Sequence, residues 1–128
     1  RTLLPAVAEP SRPGRLLRAL RRLRLVVPNL QRSNRDRAQA LSVLRQAEAD
    51  VILLLEVDAW WSEALRPLAA THPHVVEEPE PLYYGLALYS RFKLEETSIR
   101  PRANEWPPSL RATIVLPAGE RVRLYGLH

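Results

Sequence analysis

A chain of 128 residues, 46% hydrophobic and 26% charged, suits one folded domain with a modest core and excludes a disordered or fibrous protein. It has no cysteine, which excludes disulfide scaffolds and cysteine-ligated zinc, and no apolar run approaches the roughly 18–20 residues of a membrane-spanning helix. The net charge of +5 is unevenly spread: residues 1–24 hold seven arginines against one acid, Glu9, so that stretch carries +6 and residues 25–128 are left at about −1.

That asymmetry bears on partners. Binding to duplex nucleic acid needs a basic face on the folded domain, because affinity comes from neutralised phosphates. A leading arginine-rich arm fits a solvated tail best, a segment lying near anionic lipid next, and nucleic acid less than either. Arg1 is not an initiator methionine and no signal-peptide pattern follows it, so a trimmed start is expected.

Residues 1–22 read as a basic Pro/Arg-rich arm or linker, with Pro5, Pro10, Pro13 and Gly14 in its first part. Leu16, Leu17, Leu20 and Leu23 then fall at helical spacing opposite Arg18, Arg21 and Arg22, as in a short amphipathic helix on a membrane or on the domain. A domain is expected over 23–128. Its first strand is Leu23–Val27, closed by Pro28 and Asn29. Ser33 with Asp36 resembles a helix cap, and Ala38, Leu41, Leu44 and Ala47 form one apolar stripe behind it. Val51–Leu55 is apolar without alternation, the pattern of a strand buried on both faces.

A helix is expected over residues 59–70, with Trp60, Ala64 and Leu68 aligned toward the core and Pro67 weakening its far end. Short strands follow at His74–Glu77, Leu86–Ser90, Leu94–Arg100, Leu110–Leu116 and Arg121–Leu127, the last two joined by a turn containing Gly119. Helices early and strands late predict an α+β fold, a mainly antiparallel, mixed sheet with helices packed on one face.

Glu56 is the most informative polar residue. It ends the apolar run, where a carboxylate is costly unless it is solvated, paired or bound to a cation, and ligand clefts open at the carboxyl ends of strands. Asn29 ends the first strand and His128 the last, each either a turn or terminal residue or a group near the same cleft. His72 and His74, around Pro73, are expected on the surface. Trp60 and Trp61 offer either a stacking platform for bases or core packing, with Trp60 favoured for the core. Tyr84 precedes Gly85, which permits close approach of a backbone or a phosphate. No Walker loop, GxSxG or HExxH motif occurs.

The order of these features is more specific than any one of them. A strand ending at Asn29, a helix, Asp50-Val-Ile-Leu-Leu-Leu-Glu56, a Trp-containing helix, Tyr84-Gly-Leu-Ala-Leu-Tyr-Ser-Arg91 and Gly126-Leu-His128 together resemble the endonuclease/exonuclease/phosphatase, or deoxyribonuclease I-like, superfamily. Pro108-Ser109 and the Gly119 hairpin look like bacterial members with N-terminal membrane tethers. The resemblance implies a divalent-metal-dependent phosphoester hydrolase. Glu56 would match the metal-binding glutamate for Mg²⁺ or Mn²⁺, Asn29 and His128 the catalytic asparagine and first histidine, and Tyr84 a substrate-side residue.

The remaining family residues, including the aspartate base, would follow His128. The chain is therefore expected to be the N-terminal half of the domain, half of a four-layer α/β-β/α sandwich, and inactive alone. Half a sandwich exposes an apolar sheet face, so the fragment is expected to dimerise or to pair with its missing half. A phosphoester is the expected substrate, with nucleic acid among the possibilities. The alternative is a non-catalytic interaction domain that binds protein or anionic lipid.

Overall fold

A computed structural model of the chain describes residues 6–10, 23–28, 35–78, 85–102 and 105–127. In chain order the elements are β1 (Ala6–Pro10), β2 (Leu25–Val26), α1 (Arg37–Gln46), β3 (Val51–Leu55), α2 (Ala59–Ala64), a 3₁₀ helix (Arg66–Ala70), β4 (His74–Glu78), β5 (Leu86–Ser90), β6 (Lys93–Arg102), β7 (Glu105–Val115) and β8 (Arg121–Leu127). The fold is mixed α/β, mostly strand. One four-stranded sheet runs β2-β3-β5-β4 and the other β1-β8-β7-β6. Among the described residues only β2 and β3 pair in parallel. The other pairings are antiparallel.

The unalternating run of β3 is explained by what lies on each side. Ile52 and Leu54 join Leu41 and Leu44 of α1, Trp61 and Ala64 of α2, Leu68, and Ala87 and Tyr89 of β5 in one buried cluster. Val51 and Leu53 belong instead to a second cluster with Leu86 and Leu88 of β5 and Leu110, Ala112, Ile114, Val122 and Leu124 of the other sheet. Burying both faces removes the need for a polar side. The strands β7 and β8 do alternate: Arg111, Arg121, Arg123 and Tyr125 are at least partly exposed, between buried Leu110, Ala112, Val122 and Leu124.

Several expectations change here. A single sheet with an open inner face is not what forms; a second sheet fills that face, and the Cβ of an alanine at Gly126 would lie 3.2 Å from Leu53 Cδ2. Within the stretch expected to be a linker, Ala6–Pro10 pairs antiparallel with β8, from Ala6 opposite Gly126 to Pro10 opposite Val122. The rest of the basic arm up to Arg22 lies outside the described residues.

The α1 cap is Asp36 itself, whose carboxylate accepts from the Gln39 N–H at 3.0 Å, a local bond that satisfies an otherwise orphan donor. The helix expected over 59–70 stops at Ala64. Pro67 has no N–H to donate to Glu63, and the chain continues as a 3₁₀ turn with Leu68 N–H on Leu65 O at 2.9 Å. The buried stripe is Trp61, Ala64, Leu65 and Leu68: Trp61 is 2% exposed, while Trp60, expected in the core, is 38% exposed.

His72 is buried rather than on the surface. Its Nε2–H donates to Ala49 O at 2.7 Å, since a carbonyl only accepts, and Nδ1 shares the Thr71 hydroxyl at 2.9 Å. The bond ties the end of the 3₁₀ helix to the entry of β3. His74 opens β4 and is partly exposed.

At the amino end of β3, Asp50 is a structural pin. Its carboxylate accepts from Arg24 N–H at 2.9 Å, and its backbone exchanges bonds with Arg24 and Arg91. The β7–β8 turn closes as expected, with Gly119 at φ 97°, a conformation open to glycine and strained for other residues.

Candidate active site

At the other end of β3 the chain leaves the sheet abruptly. Leu55 still pairs with Leu86, but the next ladder bond runs from Val57 N–H to Gly85 O at 2.9 Å. Glu56 is the extra residue, with φ 58°. A left-handed conformation is uncommon for a residue with a Cβ, and residues held there are found most often at functional sites. The bulge takes Glu56 out of the strand's alternation, and the residue is partly buried.

The two residues after Glu56 return the chain to the core. Val57 is buried. Asp58 caps α2, accepting from Trp61 N–H at 2.9 Å. The same carboxylate receives Arg35 in a bidentate pair, Nη1 to Oδ1 at 3.0 Å and Nη2 to Oδ2 at 2.7 Å. The Asp58 side chain is 9% exposed and that of Arg35 41%. The hydrogen bond to Asp58 pushes the Arg35 pKa further up, so the guanidinium stays charged. Its carbon lies 4.8 Å from the centre of the Trp60 ring, which meets Trp61 edge-on at 4.9 Å. A capping acid, its arginine clamp and an exposed indole thus meet within the four residues that follow Glu56 in the chain and the lead-in to α1.

Of the four residues singled out from sequence, Glu56 stands where expected, at the carboxyl end of a buried strand. Asn29, Tyr84 and His128 lie outside the described residues. Their neighbours are placed: β2 runs parallel to β3 in the register Leu25–Val51 and Val26–Ile52, so both strands point toward the same edge. Gly126 packs beside Leu53, three residues before Glu56. Among the described residues, no three His, Cys, Asp or Glu side chains are grouped to hold an ion. No helix there is long and apolar enough to cross a membrane.

Asp58, Arg35 and the exposed position of Trp60 were not apparent from the sequence. Asp58 carries one local signal, an acid three residues ahead of an apolar helical position. The partnership with Arg35 spans 23 residues and carries none.

The sequence profile of the Endonuclease/Exonuclease/phosphatase family matches residues 28–127, and the chain belongs to that family. Enzymes of the family are generally hydrolases, nucleases or phosphatases, and generally use a divalent metal. No curated protein matches the chain.

Proposed function

We propose that this domain hydrolyses a phosphoester with Mg²⁺ or Mn²⁺, and that Glu56 is a ligand of the metal. The observation that carries the reading is the bulge that sets a glutamate in the left-handed conformation at the end of β3, in a chain of this family. The donor chemistry fits. Mg²⁺ takes oxygen ligands, commonly one or two carboxylates with several waters retained, so one strand-end glutamate is a sufficient protein anchor. Asp58 is the nearest acid in sequence and is already engaged by Arg35.

Bound there, the ion supplies charge neutralisation at a phosphoryl oxygen. In this reading the Asn29 amide orients the Glu56 carboxylate or donates to a phosphate oxygen. His128 hydrogen-bonds the scissile phosphate or protonates the leaving oxygen. Tyr84 faces the substrate. In the family resemblance that motivates this reading, an aspartate activates the attacking water. The substrate is a phosphoester, with nucleic acid one candidate, and the arginine-rich arm adjoins a membrane tether in the parent protein.

The test is Mg²⁺- and Mn²⁺-dependent hydrolysis of bis(4-nitrophenyl) phosphate and 4-nitrophenyl phosphate by the polypeptide extended past His128. Metal-dependent turnover that falls more than about 100-fold in Glu56→Ala supports the hydrolase, since even groups behind a metal ligand are commonly worth 10–100-fold. A folded protein inert toward both esters with both metals would favour a non-catalytic domain that binds protein or anionic lipid.

A further inference from the structure

We infer that Arg35 is a positioning residue for Glu56, acting through Asp58; the inference rests on the proposed metal role of Glu56. The turn at residues 56–58 is strained at its first residue, and such a conformation persists only where the surroundings over-determine it. Two sets of contacts do so. On one side Val57 N–H is held by Gly85 O of the neighbouring strand connection. On the other, Asp58 is held by the Trp61 N–H of α2 and by both guanidinium nitrogens of Arg35.

Asp58 is buried, so losing its partner costs stability, and the pair also fixes position. Here the geometry is bidentate, the acid is nearly buried, and the guanidinium is also seated against Trp60, so its orientation is fixed from two directions. The clamp reaches from the start of α1 to the residue two after Glu56, bridging 23 positions of sequence. It also neutralises the one carboxylate close enough in sequence to compete with Glu56 for a cation. Without Arg35, Asp58 turns toward solvent, the turn relaxes toward extended backbone, and the Glu56 carboxylate leaves its position.

The experiment uses the full-length protein, with Mn²⁺ binding followed by electron paramagnetic resonance and Mg²⁺-dependent hydrolysis of bis(4-nitrophenyl) phosphate measured beside it. Arg35→Gln is expected to weaken Mn²⁺ binding and to lower kcat by about 10–100-fold each, with KM nearly unchanged. Arg35→Lys keeps the charge but not the fork, and is expected to recover only part of the loss. Asp58→Asn, which keeps an oxygen for the Trp61 N–H, is expected to reproduce the defect. The double variant should be no worse than either single one, because both remove the same clamp.

Wild-type Mn²⁺ affinity and turnover in Arg35→Gln would overturn the inference while leaving the hydrolase intact. So would a loss of activity that Arg35→Lys restores in full. If Arg35→Gln does not fold, Asp58→Asn decides alone. A wild-type protein that neither binds Mn²⁺ nor hydrolyses the ester overturns the hydrolase reading and this inference with it.

Discussion

The two sheets of this domain solve burial in different ways. The strands β3 and β5 are apolar on both faces, one turned to the helices and the other to the second sheet. The strands β7 and β8 are apolar on one face and carry Arg111, Arg121, Arg123 and Tyr125 on the other. The first sheet is the rigid platform, and it ends in the strained Glu56 bulge. The second is a cover whose outer side is open to polar contacts, including Arg121 held by Glu95 and Glu96. The left-handed Glu56 follows directly on the strand buried on both faces, and a strained conformation needs surroundings that cannot yield.

The largest effect should come from removing a side chain shared by the two sheets. Leu53→Ala is expected to cost about 2–5 kcal/mol in urea unfolding, from lost burial and the cavity left behind. The same substitution should relieve Gly126→Ala, whose new methyl otherwise crowds Leu53. Additive losses in that pair would mean the sheets are not in contact there.

A smaller effect is expected from His72→Ala, which leaves the Ala49 carbonyl buried without its donor. The cost should be about 1–3 kcal/mol by urea unfolding. An unchanged midpoint would show that the 3₁₀ end is not tied to the entry of β3.

Tyr89 sharpens the comparison through pH. Burial beneath the helices, then the charge of Glu77, raises its pKa to about 12, against partial opposition from Arg66. The unfolded phenol titrates near 10. Between those values the folded state holds a proton that the unfolded state has lost, so stability is fully present below pH ~10 and declines as pH rises toward ~12. Tyr89→Phe should flatten that decline in unfolding free energy; an equally steep curve would place the alkaline sensitivity elsewhere. The smallest effect is expected on the outer face of the second sheet. Arg123→Ala should shift stability by no more than about 0.5 kcal/mol, and a larger loss would reveal a partner for that face.

Much of the scaffold was apparent from short-range pattern. The run Val51–Leu55 announced a doubly buried strand, Gly119 marked the hairpin, and Glu56 stood out because a carboxylate ended the most apolar run in the chain. The errors share a cause. Trp60 and Trp61 are adjacent, so either stripe comes close to helical spacing, and the one that is buried runs Trp61, Ala64, Leu65 and Leu68. His72 beside Pro73 looks like a loop residue until the Ala49 carbonyl is brought to it.

Local pattern thus specified strands, turns and the acid at the strand end, because backbone conformation and burial periodicity act over a few residues. Long-range packing specified the rest. The second sheet over β3, the left-handed Glu56 and the Arg35–Asp58 clamp all depend on groups far apart in the chain, whose meeting leaves no mark on either local sequence.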